Sequence, residues 1–139
     1  MRPASNEAEA FPLSATQRRL WAHHQLAGGN GVYNGIAATD IQGEVDVDRL
    51  RFALAAVIAR HEILRTSFVD DADGMQKVLP SCVPDVVDVP TAPGEHESTI
   101  ATVIDELLRH RFDLSKPPLL RVVVVRHSPV ENTAILCIH

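Results

Sequence analysis

Aromatic residues make up only 4% of this 139-residue chain, so its core has to be built from Val, Leu, Ile and Ala. Cysteine is scarce too. Cys82 and Cys137 stand 55 residues apart, match no metal or redox spacing, and are expected as small buried hydrophobes. Positive charge is short, with 13 Lys and Arg against 18 Asp and Glu, a formal net charge of −5. Such a chain offers no basic stripe to displace phosphate counterions, which argues against nucleic acid as a partner. No apolar run reaches the ~18–20 residues that a membrane span needs. The stretch from Met1 to Glu7 carries acid and lacks the apolar segment of a secretory leader. The expectation is a cytoplasmic protein with neither membrane nor nucleic acid as partner.

What is present reads as a globular α/β chain. At 45% hydrophobic and 22% charged it sits near the soluble average. Residues 1–10 form a polar lead-in. Ser14 and Gln17 have capping-box spacing, which predicts a helix to about Leu26 ended by Gly28-Gly29. Tyr33 to Gln42 reads as extended, with Gly43 as its turn. Asp46 is a candidate N-cap for a second helix carrying Leu50, Leu54, Val57, Ile58 and His61 on one face. Ile63 to Val69 alternates like a strand. Asp70 to Gly74 is a turn, and Met75 to Leu79 returns as the hairpin partner. Val83 to Val89 is a short strand weakened by Pro84, and Pro90 to Glu97 is loop. Ser98 is the expected cap of a third helix with Ile100, Val103, Ile104, Leu107, Leu108 and Arg111 in one stripe. Leu119 to Val125 holds four consecutive valines, which suits a strand buried on both faces, and Thr133 to Ile138 is the last strand. The fold class expected is an α/β sandwich with a mixed sheet.

The chain has seven histidines, yet none pairs at H-x-x-x-H spacing, and His61, His96, His110 and His127 lie in separate elements. His23 and His24 diverge by about 100° around their helix and cannot share an ion, so no metal site is expected. There is no glycine-rich phosphate loop and no G-x-S-x-G elbow. A Ser14–His61–Glu62 triad can be drawn, but Ser14 has a structural task as a cap, and adjacent His61 and Glu62 project in different directions. Arg65 falls in a predicted strand. Its permanent charge leaves two readings, a solvated strand face or an anchor for a buried carboxylate. His139, on the end of an apolar strand, is either a structural histidine or a base titrating near neutral pH. A strand that stops there with no turn points to part of a longer protein.

The segment Ser14-Ala15-Thr16-Gln17-Arg18-Arg19-Leu20-Trp21 resembles the first core motif of nonribosomal peptide synthetase condensation domains, S-x-A-Q-x-R-L-W, with Thr16 in place of the usual Ala. Arg60-His61-Glu62-Ile63-Leu64-Arg65-Thr66-Ser67-Phe68 matches the second, R-H-E-x-L-R-T-x-F, at every fixed position. Tyr33-Asn34 and the run from Phe112-Asp113-Leu114 to Arg121 resemble further family segments in the expected order. Leu136-Cys137-Ile138-His139 looks like the approach to the third motif, H-H-x-x-x-D-G, with His139 as its first, positional His.

The resemblance implies the N-terminal lobe of a two-lobed, chloramphenicol-acetyltransferase-like fold, with 11–139 as a partial condensation domain. It implies amide-bond formation between an upstream acyl or peptidyl thioester and a downstream aminoacyl thioester. The motif's second His, which acts at the reacting amine, would follow His139 directly. The implied arrangement pairs Arg65 with the motif's Asp, while Arg19, Trp21, Ser14 and Gln17 pack and hydrogen-bond the lobe. No bound cofactor is implied, because phosphopantetheine arrives on upstream and downstream peptidyl carrier proteins. The chain alone is expected to be inactive and to expose an apolar seam for the C-terminal lobe, through which it could self-associate. The alternatives are a catalytically silent lobe that at most binds a partner, and a stand-alone acyltransferase of the same superfamily.

Overall fold

The computed structural model describes residues 9–26, 28, 31–69 and 74–139. Its centre is a four-stranded sheet in the order β2-β7-β6-β5, made of β2 (Gly35–Gln42), β5 (Asp85–Pro90), β6 (Leu120–Arg126) and β7 (Glu131–Ile138). The β2–β7 and β7–β6 pairs are antiparallel, and β5 runs parallel to β6. That parallel pair requires a long crossover, supplied by α3 (His96–Arg109). Strand periodicity sends alternate residues to opposite faces. Val123, Val125, Ile135 and Cys137 meet Val103 and Leu107 of α3. Leu120, Val122 and Val86 meet Ile58 of α2 (Val47–Arg60) on the other face. The four valines are therefore buried on both faces, as their run predicts. Cys137 lies in the first of these clusters and Cys82 packs against the second, both as free thiols.

Polar links set the register of this sheet. Arg121 Nε meets Asp85 Oδ2 at 2.6 Å and Arg126 Nε meets Asp88 Oδ1 at 2.6 Å, both between β6 and β5. Buried Asn132 donates to the Gly43 carbonyl at 2.9 Å, and buried Thr133 donates to Asp40 at 2.7 Å.

A second, antiparallel sheet has the order β1-β4-β3, with β1 (Glu9–Pro12), β3 (Thr66–Val69) and β4 (Met75–Val78). Helix α1 (Ala15–Leu26) follows β1. The Phe68 N–H donates to the Leu114 carbonyl at 2.8 Å, which joins this sheet to the loop preceding β6.

Several expectations are corrected. The lead-in gives way earlier than residue 10, because Glu9 and Ala10 already belong to β1. Tyr33 closes a short 3-10 turn, Gly31–Tyr33, and the strand starts at Gly35. A Cβ on Gly31 would collide with the Leu108 carbonyl oxygen, so this turn sits on the end of α3 only because the residue is glycine. Arg65 ends a 3-10 turn, Glu62–Arg65, and the strand begins one residue later. Thr66 explains this, since its hydroxyl donates to the Glu62 carbonyl at 2.7 Å and closes the turn. Ser98 does not cap α3. It lies inside the helix and donates back to the Glu95 carbonyl at 2.9 Å. Pro90 ends β5 rather than opening a loop, which an edge strand tolerates. Val57, His61 and Leu108 face solvent, and Arg111 lies beyond the end of α3. Gly29 and the predicted turn residues Asp70 to Asp73 lie outside the described residues. Asp46 caps α2 as expected, accepting from the Asp48 and Arg49 amides at 2.9 and 3.0 Å.

Candidate functional site

Helix α1 is fixed at its start by the capping box its spacing predicts. The Ser14 N–H donates to Gln17 Oε1 at 2.9 Å, and the Gln17 N–H donates to Ser14 Oγ at 3.2 Å. Gln17 also reaches the small sheet, donating from Nε2 to Gln76 Oε1 at 3.0 Å, while Gln76 donates to the Pro12 carbonyl at 3.2 Å. One turn on, Trp21 is half-buried against the core beneath α3. These contacts aim one face of α1 at a cavity of about 380 Å³.

Five separated segments line that cavity: Gln17 and Trp21 of α1, Tyr33 of the first 3-10 turn, Ile63 and Leu64 of the second, Leu114 and Leu119 before β6, and His139 after β7. The walls are mainly apolar. The backbone N–H of His139 donates to the Leu119 carbonyl at 3.0 Å. Its ring stands edge-to-face with those of His24, Phe112 and Tyr33, with centroids at 5.3, 6.2 and 6.3 Å. Burial lowers its pKa below the ordinary 6.5, and the neighbouring His24 lowers it further. Its Nε2 is buried with no hydrogen-bond partner among the described residues. His139 is thus a neutral imidazole at neutral pH, able to orient a polar group in the cavity wall.

Arg65 is not on a solvated face. Its side chain is 16% exposed. One terminal guanidinium nitrogen donates to the Leu79 carbonyl, and the other meets Glu62 Oε1 at 3.4 Å. Nε is buried and unpartnered among the described residues, so the guanidinium retains capacity for one more acceptor. Burial raises the nearby Cys82 thiol pKa, and Arg65 opposes that shift.

Of the residues singled out from sequence, the structure brings Gln17, Trp21 and His139 to the cavity wall. Ser14 serves as the cap, and Arg65 braces the turn behind Leu64. Arg19 is exposed and forms no hydrogen bond or ion pair among the described residues. The triad is not assembled: Ser14, His61 and Glu62 are all exposed, and Ser14 Oγ is engaged by the Gln17 amide. Two further residues support this site, one of them Asn34 of the family segment Tyr33-Asn34. Asn34 donates to both the Leu107 and His110 carbonyls, at 2.9 and 2.8 Å, and so ties the start of β2 to the end of α3. The other is His24, whose signal was its spacing, since Gln17, Trp21 and His24 fall at i, i+4 and i+7 on one helix face.

The Condensation domain family matches residues 7–139. Among curated relatives, the chain is 39% identical over 134 residues to a probable non-canonical nonribosomal peptide synthetase, CymA, of Salinispora arenicola (strain CNS-205). It is 32% identical over 137 residues to tyrocidine synthase 3 of Brevibacillus parabrevis. The two alignments cover 94% and 99% of this chain, and 2% of each relative. The starter condensation domain of rhizomide synthetase RzmA superposes with a TM-score of 0.82 at 23% identity, covering 94% of this chain and 32% of that one. The condensation domain of the monacolin K polyketide synthase MokA gives 0.79 at 25% identity, covering 96% and 31%. Fold and cavity thus define one lobe of a chloramphenicol-acetyltransferase-like protein. The chain belongs to the condensation domain family.

Proposed function

We propose that this chain is the N-terminal lobe, residues 11–139, of a cytoplasmic condensation domain that forms amide bonds in nonribosomal peptide synthesis. The observation that carries this reading is the convergence of five family segments, far apart in sequence, on one apolar cavity. In the reaction, the amine nitrogen of a downstream aminoacyl thioester attacks the carbonyl carbon of an upstream acyl or peptidyl thioester. The C–N bond forms, the C–S bond breaks, and the departing thiolate takes up the proton that the amine gives away. Both substrates arrive on phosphopantetheine carried by peptidyl carrier proteins, so the lobe itself needs no bound cofactor. Much of the rate enhancement then comes from holding two reactants in attack geometry away from water. The apolar walls supply the exclusion. His139 shapes the wall beside the reacting groups, and the Arg65 guanidinium, whose Nε has no partner among the described residues, would take the carboxylate of the third motif. Ile63 and Ile138 line the cavity yet stay exposed, at 60% and 39%, in keeping with a seam for a second lobe.

The test takes the intact protein to which this chain belongs and supplies two carriers, one loaded with an acyl and one with an aminoacyl group. Mass spectrometry should find the condensed product on the downstream carrier, and Arg65→Ala should abolish it. Product without a downstream carrier, made from acyl-coenzyme A and a free amine, would move the assignment to a stand-alone acyltransferase. No product in either format would leave a silent binding lobe.

A further inference from the structure

His23 and His24 are neighbours in α1 with different surroundings. His23 is exposed and meets the Tyr33 ring edge-on at 5.4 Å. His24, about 100° around the helix, is half-buried on the same face as Gln17 and Trp21. Its ring stands against that of His139, with centroids 5.3 Å apart and planes at 78°. Two ring nitrogens of the pair, His24 Nδ1 and His139 Nε2, are buried with no hydrogen-bond partner among the described residues. The His139 backbone is held by Leu119, and its ring, with no hydrogen bond at Nε2 among the described residues, is flanked edge-to-face by His24, Phe112 and Tyr33.

We propose that His24 is a positioning residue for His139, holding its ring edge-to-face in the cavity wall and restricting the pair to one proton. This rests on the reading of the cavity as the condensation site and extends it to a residue outside the family motifs quoted above. The geometry gives the physical reason. Perpendicular neutral rings attract through edge and face, whereas two imidazolium ions packed this closely away from water repel each other. Burial disfavours charge on both rings. Asp113 partly offsets this for His24, while His24 depresses His139 further. The other titratable groups around the pair are His23 and Tyr33, on the outer side of α1 and in the adjoining turn. Charge is therefore disfavoured on both rings, on His139 also by His24, and a second proton on the packed pair is disfavoured most.

Ring-labelled histidine NMR on the intact condensation domain to which this chain belongs tests this without any turnover. In the wild type, His139 should titrate below an ordinary histidine, and its resonances should also register the His24 protonation step. In His24→Phe, which keeps a ring at the contact, the His24 step should vanish from the His139 signal and its midpoint should move upward. His24→Ala should in addition release the ring, seen as loss of its through-space contacts to Phe112. Far-UV circular dichroism reports whether each variant folds, and should the alanine variant unfold, the phenylalanine variant alone decides. A His139 midpoint and resonance pattern unchanged by His24→Phe would overturn the proposal. A coupled pair in a protein that performs no condensation would sink the functional reading and leave the pairing intact.

Discussion

The two sheets are held together by different physics. In β6 and β7 of the central sheet, Val124, Val125, Ile135 and Cys137 have no exposed surface, and helices cover both faces. Its stability comes from apolar burial, which is proportional to area and indifferent to direction. The small sheet, by contrast, has few buried apolar residues. Its hydrogen-bonded link to α1 is the Gln17–Gln76 pair, braced by the Gln76 bond to the Pro12 carbonyl within the sheet and by the capping box at the start of the helix, all of them directional. The contrast suits the site. Half of the cavity wall stands on the central core, and the other half is carried by a helix that packs Trp21 against that core and is tied to the small sheet by the Gln17–Gln76 hydrogen bond.

The largest effect should follow from cutting the burial side. Ile135 has no exposed surface and lies between Val123 and α3. Ile135→Ala removes methyl groups from a site that cannot collapse around the loss, a change that costs about 2–5 kcal/mol. Urea unfolding should show this loss equally by circular dichroism and by the fluorescence of Trp21, the only tryptophan in the chain, because losing the central sheet takes everything with it. A loss confined to the Trp21 signal would mean that the central sheet does not govern overall stability.

An intermediate, local effect is expected on the polar side. Gln76→Ala leaves Gln17 Nε2 and the Pro12 carbonyl without their protein partner. Hydrogen bonds of this kind contribute about 0.5–1.5 kcal/mol net. Here the Trp21 transition should move to lower urea, with the circular dichroism transition nearly unchanged. Coincident shifts of both probes would erase the distinction between the two halves of the wall.

The same division decides how much was readable from the residues alone. The capping box, the Asp46 cap and the doubly buried valines are encoded within a few residues, so local rules found them. The turn at Glu62–Arg65 was not, because it depends on the Thr66 hydroxyl reaching back to a carbonyl within an alternating apolar pattern that also suits a strand. His24 was treated only as the neighbour of His23. Its partner, His139, lies at the other end of the chain, and no local pattern reports a contact that exists only after β7 is laid into the sheet. Arg65 fell between these cases. Its need for acceptors was legible from its charge, while their identity, Leu79 and Glu62, required the fold.

The smallest effect belongs to the joint between the sheets. The loop that offers the Leu114 carbonyl to the Phe68 amide is closed by Asp113, which accepts from Ser115 Oγ at 2.6 Å and meets Lys116 Nζ at 2.8 Å. Lys116 first, and then Ser115, hold the Asp113 carboxyl at about 2 against an ordinary 3.8. A carboxyl depressed in the folded state contributes stability that is complete above the unfolded value of about 3.8 and is lost as the pH falls through about 2. Both side chains are more than half exposed, so solvent screening discounts that contribution well below what the shift alone suggests. Asp113→Asn should therefore lower stability at neutral pH by less than Gln76→Ala does. It should also flatten part of the acid-side decline between about pH 4 and pH 2. Urea titrations of the two proteins at those pH values measure the difference. If the decline is equally steep in both, the Asp113–Lys116 contact does not brace the joint, and the Phe68–Leu114 hydrogen bond carries it.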